Sequence, residues 1–136
     1  MEVMLGKTAG FCYGVKRATE GCTNELEKEH NIYCLGEIVH NRQVVENLTS
    51  KGIKFIDKIN EAEEGSKVII RAHGIPKEVY EEAKKRSIQV VDYTCPHVLK
   101  IHEIAQKYSN DGYFIFLTCS NKMHPEIIGT QSFCRQ

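Results

Sequence analysis

Two thiols, three imidazoles and a carboxylate stand out in this 136-residue chain, because each sits where a short apolar run gives way to a helical pattern. Cys12 lies in Ala9-Gly10-Phe11-Cys12-Tyr13-Gly14, and His40 ends Gly36-Glu37-Ile38-Val39-His40. His73 lies in Arg71-Ala72-His73-Gly74-Ile75-Pro76, Cys95 in Asp92-Tyr93-Thr94-Cys95-Pro96, and His124 and Glu126 flank Pro125. Soft thiolates suit iron–sulfur clusters or zinc. Imidazoles titrate near neutral pH, so they hold a phosphate as cations or shuttle protons. Helix N-termini aimed at the same place favour an anion, and the glycines at 10, 14 and 74 let backbone approach a ligand closely. The set predicts a metal or cluster centre beside a phosphorylated substrate.

Taken singly, each of these residues has a plainer reading. A free cysteine is most often a small buried hydrophobe, and that reading is adopted for Cys22 on an apolar helix face, for Cys34 in mid-strand, and for Cys119 and Cys134. His30, His97 and His102 fall within or beside helices and read as exposed or structural. His40, His73 and His124 have capping roles open to them, and Glu126 is a first-turn acid of the kind a helix dipole favours. Agreement of position across five junctions raises the functional reading above these. None of the six cysteines forms a C-x-x-C pair, which disfavours zinc ribbons, thioredoxin motifs and ferredoxin runs. Any centre must collect its ligands from distant parts of the chain.

The elements that position these residues alternate. Residues 2–5, 32–35, 67–71, 89–93 and 113–118 are short, apolar and rich in Val, Ile, Tyr and Phe, and read as strands, with 54–56 as a sixth. Residues 15–28 read as an amphipathic helix with Val15, Ala18, Cys22 and Leu26 on one face. Helices at 42–48, 77–86 and 97–108 follow, the first of these capped by Asn41 and the last carrying Val98, Ile101 and Ile104 or Ala105 on one stripe. Pro76, Pro96 and Pro125 each follow a strand-like run and mark a first helical position, where the missing N–H is not needed. Repeated βα units predict an α/β fold with a largely parallel sheet. In such a sheet every β-to-α junction falls on one rim, at the carboxyl ends of the strands, where ligands bind.

Composition sets the outer limits. Eighteen basic and 18 acidic residues give a net charge of +0, against the clustered positive charge of a nucleic-acid-binding domain. The longest apolar run, residues 113–117, is far too short to span a bilayer. The N-terminus lacks the layout of a signal peptide, so a cytoplasmic, reducing setting is expected.

The junction motifs together resemble one family, the 4-hydroxy-3-methylbut-2-enyl diphosphate reductases of the non-mevalonate isoprenoid pathway. The matching segments are AGFCYGVKRA, GEIVHN, IRAHGIP, DYTCP and HPEIIGT, in order and in spacing, over nearly the whole chain. The resemblance implies reductive removal of an allylic hydroxyl from a five-carbon diphosphate, giving isopentenyl and dimethylallyl diphosphate. It implies three α/β domains in a trefoil-like array around a 4Fe-4S cluster, with ferredoxin or flavodoxin as electron donor. Cys12 and Cys95 match two of three cluster cysteines, His40, His73 and His124 match the histidines around the diphosphate, and Glu126 matches the acid that delivers a proton toward the hydroxyl. The third cysteine of the family pattern is absent from this chain, as are a serine–asparagine group and a threonine. The chain is therefore expected to be the first domain (1–94) and the start of the second (95–136), with the first the better ordered, and by itself unable to hold a stable cluster. The alternative is a non-catalytic α/β remnant that at most binds diphosphate weakly. Tyr93 and Cys119 stand where the family pattern leads one to expect smaller residues.

Overall fold

The computed structural model describes residues 1–135. Helix α1 (Tyr13–Leu26) precedes strand β1 (Ile32–Leu35), α2 (Arg42–Ser50) and β2 (Ile53–Ile56). A single 3-10 turn at Ile59–Glu61 leads into β3 (Lys67–Ile70), α3 (Lys77–Lys85), β4 (Gln89–Asp92), α4 (Pro96–Asn110) and α5 (Pro125–Ser132). The strands form one sheet in the order β2-β1-β3-β4, and every pairing is parallel. The α/β class and parallel sheet expected from the alternating pattern are thus present.

Period-two alternation sorts the strand side chains into two cores. Ile32 and Cys34 of β1, Ile53 of β2 and Ile69 of β3 pack under Ala18, Cys22 and Leu26 of α1 and Leu48 of α2. Tyr33 and Leu35 of β1, with Val68 and Ile70 of β3, face the other way and meet Ala83 of α3 and Ile88. The central strands β1 and β3 are buried at all four positions, as a parallel strand covered on both faces must be. One buried residue is a cation. Lys67 opens β3 and bonds Glu25 of α1 at 3.0 Å and Glu29 at 2.8 Å, joining helix to sheet at the rim away from the junctions.

Local signals set the helix ends. Asn41 accepts the N–H of Val44 at 3.3 Å and caps α2, which stops before Gly52 at φ +110°. Pro96 and Pro125 occupy the first turns of α4 and α5 as expected, whereas Pro76 is the cap residue of α3 and lies one position earlier than expected.

Two expected strands do not form. Residues 2–5 and 113–118 are irregular, with Val3, Leu5, Phe114 and Phe116 at least 80% exposed. Apolar alternation gives a strand tendency, but a strand exists only when a neighbour completes its ladder. Neither segment pairs with β2 or β4, the two edges of the sheet, and no other strand is present among the described residues. The stripe on α4 also differs from expectation. Val98, His102, Ala105 and Ser109 are buried, while Ile101 and Ile104 face out. Cys119, expected to be buried, is exposed because it follows the unpaired segment. Cys22 and Cys34 are fully buried as expected, and Cys134 is half-buried against the carbonyl of Thr130.

Candidate functional site

The parallel sheet delivers three of the five chemically loaded junctions to one rim, and the strands expected before Cys12 and His124 are absent. His40 follows the turn after β1, His73 follows β3, Cys95 follows β4, and Cys12 is the cap residue of α1. His124 caps α5, which packs on α4 and α3. Backbone bonds tie the loops together: the N–H of Cys95 donates to the carbonyl of Ala72 at 2.9 Å, and that of Tyr93 to Ile70 at 3.0 Å. The loop carrying the second thiol is therefore fastened directly beside His73.

The three imidazoles form a cluster. The His40 and His73 ring centroids are 5.3 Å apart, and those of His73 and His124 are 5.7 Å apart at a right angle. His73 is central, and its buried Nδ1 has no hydrogen-bond partner among the described residues. His40 Nδ1 lies 3.7 Å from Glu37. His124 Nδ1 accepts the backbone N–H of Glu126 at 3.3 Å, so a neutral His124 carries its proton on Nε2 and can donate it. Beside the histidines the rim opens into a cavity of about 450 Å³, with Gly36, Arg71, Gly74 and Pro125 on its wall.

Electrostatics suit an anion here. Burial, then the Arg71 guanidinium, then the neighbouring His40 and His124 push His73 down to about 4, so it is neutral at pH 7 in the free chain. The Arg71 guanidinium crosses over Gly36, whose φ is +71° and whose Cβ, if present, would lie 2.5 Å from Nη1. An arriving phosphate group would relieve this crowding of positive charge and favour protonation of His73. Because His73 takes up its proton near 6.5 when unfolded and near 4 when folded, stability is complete above 6.5 and falls as the pH drops toward 4. His102, also lowered by burial, acts in the same direction. Urea midpoints at pH 7 and pH 5 should show this loss, and His73→Gln should reduce it. An unchanged pH slope in that variant would contradict the assignment.

The segments that carry the two thiols are in contact. A Cβ placed on Gly14 would lie 3.0 Å from the Sγ of Cys95, so the first turn of α1, capped by Cys12, rests directly on Cys95. Cys12 is exposed and Cys95 half-buried, both as free thiols. Two soft donors on one rim fit a thiolate-bound centre such as an iron–sulfur cluster. They supply only two positions, and no group of three or more His, Cys, Asp or Glu gathers as a metal site among the described residues. Glu126 stands in the first turn of α5, half-buried and two residues from His124.

Three residues of this rim have roles that the sequence pattern does not show. Gly14, expected to let backbone approach a ligand, instead leaves the space that the Cys95 side chain fills. Arg17 and Arg71 lie inside the quoted motifs but have no place in the expected site, although one reaches the Cys95 loop and the other crowds His73. Arg17 lies five residues after Cys12 and Arg71 two before His73, and a cationic side chain that close to a junction is the signal that points to them.

Residues 3–136 match the family model described as LytB protein. The chain is 42% identical over 135 residues to a protein of Clostridioides difficile (strain 630) named 4-hydroxy-3-methylbut-2-enyl diphosphate reductase, covering 98% of this chain and 48% of that one. A protein of the same name from Aquifex aeolicus (strain VF5) is 41% identical over 136 residues, with 99% and 46% covered. Among solved structures, the E-1-hydroxy-2-methyl-but-2-enyl-4-diphosphate reductase from Plasmodium falciparum superposes with a TM-score of 0.89 at 38% identity, covering 93% of this chain and 40% of that one. The structure titled (E)-4-hydroxy-3-methyl-but-2-enyl diphosphate reductase, the terminal enzyme of the non-mevalonate pathway, gives 0.83 at 41% identity, with 96% and 46% covered. The chain spans about half the length of the curated relatives it matches.

Proposed function

This chain belongs to the LytB protein family, and from that membership we propose that it is the N-terminal half of a 4-hydroxy-3-methylbut-2-enyl diphosphate reductase. The observation that carries the reading is the imidazole trio at 5.3 and 5.7 Å, with the Cys95 loop fastened beside His73 and packed on the helix that Cys12 caps. The reaction exchanges an allylic C–OH bond for C–H. Two electrons and two protons enter, and water leaves.

Within this half, the histidines and the helix N-termini of the rim bind the diphosphate, with His73 gaining a proton as the anion arrives. The carboxyl group of Glu126 gives a proton to the departing oxygen as a general acid. Cys12 and Cys95 would hold two irons of a 4Fe-4S cluster, with a third thiolate from the remaining half of the enzyme. When bound, that cluster supplies the electrons and a Lewis-acidic iron for the hydroxyl. Ferredoxin or flavodoxin is the proposed electron donor. No described helix is long and apolar enough to cross a membrane.

The test is a fusion in which residues 1–136 replace the equivalent half of the Clostridioides difficile relative, reconstituted anaerobically with iron and sulfide. The fusion is expected to show thiolate-to-iron absorption and to reduce the substrate, and Cys12→Ser and Cys95→Ser to lose both. The separate 136-residue chain is expected to do neither, since two thiolates leave the cluster short of a ligand. A folded but inert fusion would favour the remnant reading. A separate chain that turns over would refute the division of the cluster between halves.

A further inference from the structure

One face of α1 is given over to the loop that carries Cys95. Gly14, Arg17 and Gly21, spaced three and four residues apart, form a stripe along that face. Against it lie Cys95, Thr94 with Asp92, and Tyr93, in that order. Gly14 leaves room for the Cys95 thiol. The Arg17 guanidinium donates from Nη1 to the carbonyl of Thr94 at 3.1 Å and from Nη2 to that of Asp92 at 3.4 Å, and lies 5.4 Å from the centre of the Tyr93 ring. A Cβ on Gly21 would fall 2.1 Å from Cζ of Tyr93, so a large residue in the loop is matched by the absence of one on the helix.

The far side of the loop is fastened independently. The Asp92 carboxylate accepts the Thr94 N–H at 2.7 Å, the Thr94 hydroxyl, and the Tyr80 hydroxyl at 2.6 Å. Thr94 is fully buried. The sheet and α3 thus fix the loop, and α1 docks on it. Since Cys12 caps α1 and Cys95 ends the loop, that docking sets where one thiol stands relative to the other. Among the described residues, the Arg17 fork is the one side-chain hydrogen-bond link between α1 and this loop. Its two parallel donors fix orientation as well as distance, which a single ammonium cannot do.

We propose that Arg17 is a positioning residue that holds Cys12 and Cys95 at bridging distance before any cluster arrives. The inference rests on the assignment of these two thiols to one centre and adds the group that sets their spacing.

The test uses dibromobimane, in which each thiolate displaces one bromide and fluorescence develops when two neighbouring thiols are joined. Monobromobimane, which needs only one thiol, reports reactivity alone. The chain with Cys119→Ser and Cys134→Ser, in which Cys22 and Cys34 are buried, is expected to give a Cys12–Cys95 cross-link identified by peptide mass. Arg17→Met keeps the stem but removes the fork. It is expected to slow bridging about tenfold, the factor one charge-assisted hydrogen bond supports, with single alkylation unchanged. Arg17→Lys is expected to recover only part of the rate. Gly14→Ala, with Arg17 intact, is expected to slow bridging by pushing Cys95 outward.

Bridging at the parent rate in folded Arg17→Met would overturn the role of Arg17 and leave the thiol assignment standing. Absence of the cross-link in the parent would overturn the thiol assignment itself. Where Arg17→Met does not fold, Arg17→Lys decides: full parental bridging refutes the fork, and slowed bridging in folded protein supports it.

Discussion

Lys67→Ala is expected to destabilise the chain by about 3 kcal/mol, the scale on which losing one partner of a buried ion pair is felt. In a domain of this size that corresponds to a fall in Tm of about 10 °C. Lys67 and Glu25 are each 8% exposed, and alanine would leave the Glu25 carboxylate buried with Lys28, a mostly exposed partner at 2.7 Å, as its remaining cation. The loss also separates α1 from β3, the helix and strand that carry Cys12 and lead to His73. The pH dependence follows from the partners. Hydrogen bonds from Lys28 and Lys67 hold Glu25 below 4.5, so its contribution is present above 4.5 and vanishes as the pH falls through the folded value. Glu29 and Glu25 raise Lys67 above 10.5, so its contribution is present below 10.5 and disappears as the pH rises through the folded value. The cost of Lys67→Ala should therefore be flat around neutrality and shrink in acid. Glu25→Leu with Lys67→Met, which removes both charges and keeps the volume, should regain most of the stability. Urea unfolding of the three variants measures this, and a cost below about 1 kcal/mol for Lys67→Ala would show the pair to be solvent-screened.

The difference between strands that formed and strands that did not shows what an amino-acid pattern encodes. Residues 32–35 and 68–70 are continuous apolar runs and lie in the central strands, while 113–118, no less apolar, does not pair. Local pattern reports a willingness to be covered; the covering neighbour is a property of the whole sheet. The weaker run at 54–56 formed because β1 lies beside it in register, Tyr33 opposite Lys54 and Leu35 opposite Ile56. The rim was legible for a different reason. Once the strands are parallel, topology alone sends His40, His73 and Cys95 to the same side, whatever the distances between them. Those distances, and the contacts that set them, were not legible. Arg17 meets Thr94 across 77 positions, and Tyr93 looked oversized until Gly21 was found beneath it. The same is true of His73, held below the ordinary imidazole range by burial and by Arg71, which a count of histidines does not show.

Glu126→Gln, in the full-length fusion, is expected to lower kcat by about 10²- to 10³-fold, the usual weight of a positioned general acid, with KM moving less than about threefold. Glutamine keeps the size and polarity of the side chain and leaves the backbone N–H of residue 126 on His124 Nδ1, so the imidazole keeps its orientation. What it lacks is a proton to give to the departing oxygen. The helix would lose only the few tenths of a kcal/mol that a first-turn carboxylate adds, too little to account for the rate. His73→Gln should behave in the opposite way. An imidazole that binds diphosphate does so before and during the reaction alike, so its loss raises KM more than it lowers kcat. Steady-state kinetics of the two variants therefore separate proton delivery from anion binding on one rim. Wild-type kcat in Glu126→Gln would remove Glu126 from the chemistry and leave it a helix-terminal acid, while a kcat defect in His73→Gln as deep as that of Glu126→Gln would mean that the imidazole trio also takes part in moving protons.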